Sequence, residues 1–238
     1  SAEGKKYLVI DTPGVNSLIP MSEDERVTRD ILLEERPEVV IQVGDAKNLR
    51  RTLLLTIQLA EMGLPVVLDL NMEDEAMDRG ISIDREWLRG TLGIDVVGTV
   101  AVERKGIKEL KAAVFRKAAV PALAVNYGEV LEGYISKLSG LLPDVPVSRR
   151  SLSVMLLSGD ESLRKWLNAN LDPSAIEEIE RLRAECEGRM AMLGKSVGMA
   201  VGEARLRKAM EMADTAITKT AHTGGSAASF IGRVSMHP

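Results

Sequence analysis

The sequence predicts an α/β unit followed by an all-α unit. Three observations carry that expectation. Short β-branched runs alternate with helical patterns up to Ala101, as strands and crossover helices of a parallel sheet do. Every strand signal is lost after Gly106. Across the 238 residues, 45% are apolar, enough to bury a core and to exclude a largely disordered chain.

Four segments have the short apolar character of strands buried on both faces: Lys6–Asp11, Glu38–Val43, Pro65–Leu70 and Asp95–Ala101. Between them, Ser22 with Glu25 forms a capping-box pair that opens a helix running to about Glu35, where Pro37 stops it. Leucines at helical spacing mark Leu49–Met62, closed by Gly63. A polar loop, Asn71–Arg79, precedes a short helix at Asp84–Gly90. The second half reads as helices over Ile107–Val120, Gly128–Leu142, Ser151–Leu157, Ser162–Asn168, Pro173–Leu193 and Val197–Thr220, separated by Pro, Gly and Asp signals. A division near Pro121 gives expected units of 1–120 and 121–221, with 222–238 a linker whose His222–Ser229 stretch is small and polar.

Composition limits the function. With 31 basic and 35 acidic side chains the net charge is −4, which gives no electrostatic attraction for nucleic acid. The lone cysteine, Cys186, excludes an internal disulfide and a cysteine-based zinc site, and suits a reducing cytosol. His222 and His237 are too few and too far apart to suggest a metal site. No apolar run approaches the ~18 residues of a membrane span. The opening Ser-Ala-Glu-Gly carries no signal peptide and reads as the start of a piece of something longer. The methionines at helical spacing, among them Met190, Met192, Met199, Met210 and Met212, suit core filling or a partner-facing surface, and Trp87 and Trp166 suit packing. Glu23-Asp24-Glu25 and Glu177-Glu178 read as solvated charges at helix faces and starts.

Two short elements carry chemistry. Asp11-Thr12-Pro13-Gly14 follows the first expected strand, where an Asp can hold Mg2+ through water and a Gly lets a backbone N–H approach a terminal phosphate. Asn71-Met72-Glu73-Asp74 follows the third. Asn with Asp three positions on is the pattern by which P-loop GTPases read guanine, whose ring N–H and exocyclic amine both donate to the carboxylate. Val100-Ala101 ends the next strand, where a further base-contacting loop belongs. The two elements are expected to emerge from one rim of the sheet.

These residues resemble the cytosolic GTPase domain of the ferrous iron transport protein B family. The likeness lies in Asp11–Gly14 with Ser17-Leu18, Asp45-Ala46 with Asn48-Leu49 and Arg51, Gln58-Leu59, and above all Leu70-Asn71-Met72 with Asp74 and Ala76. Leu156-Leu157 with Gly159-Asp160 is similar to that family's helical domain, and Arg233 with His237-Pro238 to the lead-in to its first membrane helix. The resemblance implies an incomplete P-loop GTPase-like sheet followed by an all-α helical domain, on the cytoplasmic face of a membrane. It implies GTP or GDP with Mg2+ as ligand. Asp11, Thr12, Pro13 and Gly14 would lie at the phosphates, with Asp11 on the Mg2+ through water, and Asn71, Met72, Asp74, Val100 and Ala101 at the base. Implied partners are guanine nucleotide and the membrane portion of the same protein; self-association stays open. The helical domain would couple nucleotide state to iron uptake, with Ser17–Arg29 the mobile segment.

The sequence departs from that pattern in two places. The only Gly-Lys-Ser, Gly194–Ser196, has Arg189 where a phosphate loop needs Gly, so it reads as a turn. With ten residues ahead of Asp11, the phosphate loop and first switch are expected to fall outside the chain, leaving unpaired sheet edges and very weak GTP binding. Val15 stands where many small GTPases carry a water-orienting Gln, so no catalytic residue is assigned. A GTPase-like binding or regulatory module without turnover is the competing reading.

Overall fold

The computed structural model describes residues 8–219 apart from 16, 20, 21, 36 and 117. In chain order it contains α1 (Glu23–Glu34), β1 (Val40–Asp45), α2 (Leu49–Met62), β2 (Val66–Asn71), α3 (Glu73–Asp78), β3 (Ile81–Ile83), α4 (Arg85–Leu92), β4 (Asp95–Thr99) and α5 (Ile107–Phe115). Then come α6 (Glu129–Leu141), α7 (Arg149–Leu157), α8 (Arg164–Asn170), α9 (Pro173–Met192), α10 (Val197–Ala216) and β5 (Ile217–Lys219).

The sheet is parallel and three-stranded in the order β1-β2-β4. Its register places Asp45, Asn71 and Thr99 side by side at the carboxyl ends of the strands. One face, with Val66, Leu68, Leu70 and Val96, joins a large core that continues through α2 into the helical half, including Leu138, Leu152, Ile179 and Ala209. The other face packs Val67 and Val97 on Ala113 of α5. The two halves of the chain therefore share one core, with α2 as the layer between sheet and helices. No helix among the described residues is long and apolar enough to cross a membrane.

Local signals explain the helix ends. Ser22 accepts a hydrogen bond from the Glu25 amide and starts α1, while Gly63, at φ 74°, closes α2 in the left-handed conformation that glycine adopts without strain. Gly194, also at φ 74°, makes the turn read at Gly194–Ser196, and Ser196 caps α10. Met190 and Met212 fill the core, whereas Met192, Met199 and Met210 are exposed. Trp87 and Trp166 pack against the core, as expected.

Several expectations are corrected. Residues 8–11 of the Lys6–Asp11 strand form no strand, and Leu8 and Val9 are 87% and 82% exposed; the rest of that segment lies outside the described residues. A strand needs a hydrogen-bonded neighbour, and among the described residues β1 pairs only with β2. Burial of β1 on both faces also fails. Gln42 is buried against Thr52 and Thr56 of α2, but Ile41 and Val43 on the opposite face are exposed, because α5 covers only β2 and β4. The loop expected at Asn71–Arg79 contains α3, whose first turn carries Glu73, Asp74 and Glu75 at the positive end of the helix. A two-stranded antiparallel pair, β3 with β5, ends the last helix earlier than Thr220. Glu25 is not a solvated charge: it is buried and accepts from the Ser17 amide at 3.2 Å. His222, His237, the linker and Arg233 lie outside the described residues.

A buried polar cluster joins α2 to the helical half. The Glu61 carboxylate accepts from Tyr127 Oη at 2.5 Å and from Arg205 Nε at 2.9 Å. Arg150, over the Tyr127 ring, donates twice to Glu132 at 2.6 and 2.8 Å. Burial, more than the neighbouring charges, pushes the Tyr127 phenol well above its ordinary range, and burial raises the Cys186 thiol to about 11. Both groups therefore hold their protons more tightly in the fold than in the unfolded chain, so their contribution is intact below the unfolded values and is lost as pH rises above them. The urea midpoint is expected to fall between pH 8 and pH 11, and to fall less in Tyr127→Phe, as a denaturation series followed by circular dichroism will read.

Candidate guanine-nucleotide site

At the carboxyl end of the sheet, the Asn71 side chain gathers the loops that follow β2 and β4. Its Oδ1 accepts from the Met72 amide at 2.9 Å, from the Ala101 amide at 3.1 Å and from Thr99 Oγ1 at 3.2 Å. The two backbone donors, with the single Thr99 hydroxyl proton shared between this oxygen and Asp69, fix the orientation of the amide and leave its Nδ2 as a donor with no partner among the described residues. Thr99 Oγ1 is nearer to Asp69 Oδ1, at 2.7 Å, and is the sole donor to that buried carboxylate among the described residues. Burial raises the Asp69 carboxyl above the usual range, and the Thr99 bond opposes the shift.

Each loop holds its shape by backbone geometry. Met72 turns the chain into α3 with φ 62°, a left-handed conformation that exposes its side chain. The Asp74 carboxylate, in the first turn of α3, takes no hydrogen bond or ion pair among the described residues. After β4, Val100 and Lys105 exchange both backbone hydrogen bonds at 3.2 Å, closing the loop that carries Ala101. Lys105 pairs with Glu103 at 2.5 Å, which holds its ammonium above the ordinary range, and Asp74 adds a smaller contribution. Lys47 reaches across from the end of β1 to Glu75 at 2.5 Å and to Met72 Sδ at 3.2 Å. Gly106 makes this loop close: its φ is +74° and an added Cβ would lie 2.2 Å from the Gly98 carbonyl oxygen. Gly106→Ala is expected to cost about 3 kcal/mol or more through strain and overlap together, read as a lowered urea midpoint with a shifted Ala101 amide resonance.

The structure thus brings Asn71, Met72, Asp74, Val100 and Ala101 together. Val100 is buried and its backbone groups are bonded within the loop, while Ala101 is exposed. Asp11–Gly14 is held differently. Pro13 O accepts from Thr28 Oγ1 of α1 at 3.3 Å, and farther along the chain the Leu18 amide donates to Gln58 Oε1 of α2 at 2.8 Å. Among the described residues no hydrogen bond or ion pair joins Asp11–Gly14 to the Asn71 cluster. Asp11 is exposed, with its carboxylate unpaired among the described residues, and Gly14 has open space around it. No group of three or more potential metal ligands occurs among the described residues. One free carboxylate does fit Mg2+, which keeps several waters and binds through one or two carboxylates plus phosphates. Sequence reasoning missed Thr99, Asp69 and Lys47, whose roles come from the pairing of β2 with β4 and from the placement of α3.

Comparison with known proteins gives the family. Residues 1–114 match the family described as ferrous iron transport protein B, and residues 127–218 match the FeoB cytosolic helical domain. The crystal structure of an S. thermophilus NFeoB mutant bound to GDP superposes with a TM-score of 0.74 at 30% identity, over 87% of this chain and 80% of that one. The chain belongs to the ferrous iron transport protein B family. The Fe(2+) transport protein A/Fe(2+) transporter FeoB fusion protein of Porphyromonas gingivalis is 38% identical over 68% of this chain and 20% of its own length. The Fe(2+) transporter FeoB of Escherichia coli K12 is 36% identical over 79% of this chain and 25% of its own. The chain thus spans about a fifth to a quarter of these FeoB relatives. Its fold is that of a FeoB G domain followed by a helical domain.

Proposed function

We propose that this chain is the guanine-nucleotide-reading part of a ferrous iron transporter, and that in the whole protein it hydrolyses GTP and couples nucleotide state to iron uptake. The observation that supports this most is Asn71 Oδ1, which ties the Ala101 loop to the start of α3 at 3.1 and 2.9 Å and leaves two groups free to meet a base. The Asn71 Nδ2 donor suits the acceptor edge of guanine. The Asp74 carboxylate suits its ring N–H and exocyclic amine, whereas adenine has no donor pair in that arrangement. The Met72 side chain and the Ala101 backbone flank the base.

In this reading Asp11 holds Mg2+ through water and Gly14 offers its amide to the terminal phosphate, with Thr12 and Pro13 shaping the turn. The metal supplies charge neutralisation at the phosphates when bound. Residues 1–120 form the nucleotide unit, 121–221 the helical unit and 222–238 the link to the membrane portion, on its cytoplasmic face. Val15 packs against the core and cannot orient water, so hydrolysis relies on groups other than a side chain at that position.

Titration with a fluorescent guanine nucleotide tests the reading. The chain alone is expected to bind guanine nucleotide more weakly than micromolar yet in preference to adenine nucleotide. Joined at its amino end to a G-x-x-x-x-G-K-[ST] segment, it is expected to gain affinity by orders of magnitude, since the phosphates then find their backbone donors. Equal binding of guanine and adenine nucleotides by both forms contradicts the proposal.

A further inference from the structure

A second buried charge pair lies where α1 meets the helical half. Arg29, in the second turn of α1, is 1% exposed. Its guanidinium donates through Nη1 to Asp160 Oδ2, through Nη2 to Ser162 Oγ at 2.9 Å and through Nε to Asp30 at 2.8 Å. Asp160 is buried too, and its other oxygen accepts from the Ser162 amide at 3.1 Å and from the Ser162 hydroxyl at 2.5 Å. One guanidinium fork thus engages two polar side chains, Asp160 and Ser162, of a single turn between α7 and α8. The same helix holds the Asp11–Gly14 segment and the chain just beyond it: Thr28 holds the Pro13 carbonyl and Glu25 holds the Ser17 amide.

A helix of 12 residues has marginal stability alone, so the position of α1 depends on its tertiary contacts. A buried guanidinium without its carboxylate is strongly unfavourable. Separating α1 from the helical half therefore needs Arg29 to leave the interior, which makes the contact either fully formed or broken.

We propose that Arg29 is a positioning residue for the phosphate side of the nucleotide site. Asp160 and Ser162 fix α1, and α1 fixes the Asp11–Gly14 loop through Thr28 and the chain just beyond it, at Ser17, through Glu25, so the loop and the helical half move as one. The role given to that loop rests on the guanine-nucleotide reading; the contact and its test do not.

The test compares the nucleotide-free chain with its Asp160→Asn variant by amide exchange and by spin-label distances. Asp24→Cys and Ser174→Cys supply exposed label sites on α1 and α9, and buried Cys186, its thiol raised to about 11, takes no label. In Asp160→Asn, exchange in residues 23–34 is expected to rise at least about tenfold, as loss of one strong buried bond implies. The Ser17 amide loses protection in step, the label distribution broadens, and exchange in residues 72–76 and in α9 stays unchanged. Arg29→Lys, which keeps the charge but not the fork, falls between wild type and Asp160→Asn. Should Asp160→Asn not fold, Ser162→Ala removes the hydroxyl's bonds to Arg29 and to Asp160 while keeping the ion pair, and is expected to speed α1 exchange about fivefold. Unchanged exchange in residues 23–34 overturns the proposal, as does acceleration of α1 and α9 together, or an α1 that loosens while Ser17 stays protected. Because no nucleotide is present, failure of the guanine reading would leave every one of these results standing.

Discussion

Asp74→Asn is expected to lower affinity for guanine nucleotide by roughly a hundredfold to a thousandfold. A carboxylate that accepts from two donors of one base makes two charge-assisted bonds, each worth about 1.5–3 kcal/mol. An Asn in its place can accept only one of them and turns a donor toward the other. Xanthine carries a carbonyl where guanine carries the amine, so the same variant is expected to prefer xanthosine nucleotides. Competition titrations on the chain joined to a phosphate-loop segment will read both changes. The reversal of preference separates base recognition from damage to the fold, because a chain that has merely lost structure binds neither. Asn71→Ala acts differently: it frees the Ala101 and Met72 amides, loosening both loops while leaving Asp74 in place.

Glu61→Leu is expected to cost about 3–5 kcal/mol of stability, the usual consequence of stranding one member of a buried ion pair. Arg205 Nη2 lies 2.7 Å from Glu61, and both side chains are almost wholly buried. Removing the carboxylate leaves the guanidinium in the interior without its counter-charge and takes the acceptor from Tyr127. At the size of this chain that loss lowers the melting temperature by roughly 10 °C. The double variant Glu61→Leu/Arg205→Met is expected to recover most of the loss, since an apolar pair of similar volume suits a buried site. Urea denaturation of the single and double variants gives the comparison. A Glu61→Leu cost below about 1 kcal/mol would mean the cluster is solvated in solution and does not join α2 to the helices.

How much of this was legible in the sequence follows from the range of each interaction. Leu49–Met62 was read to the residue because its determinants are local: leucines at helical spacing and a glycine able to take φ 74° at Gly63. The place of Asn71 and Asp74 at the carboxyl end of β2 was legible too, because the two are neighbours in sequence and their position after an apolar strand is a local pattern. The short pair β3 with β5 was not, since Ile81 and Lys219 meet only after the helical half has folded back. Nor could α3 be read from a loop-like acidic run, where the helix depends on charge placement at its first turn. Arg29 with Asp160 and Glu61 with Arg205 look like ordinary surface charges in a string of letters, and their burial is decided by packing between segments 131 and 144 residues apart. The first strand was misjudged for a related reason. An apolar run such as Leu8–Ile10 becomes a strand only when it pairs with a ladder, and among the described residues β1 pairs with β2 alone.

The account depends most on the Asn71 loop and the Asp11 loop facing one ligand. Amide chemical-shift mapping of the isotopically labelled chain with Mg2+ and GTP tests this directly. The account expects shifts at residues 71–76 and 100–106, together with Gly14, and none of comparable size with ATP. Shifts confined to other surfaces, or the same response to both nucleotides, would contradict it.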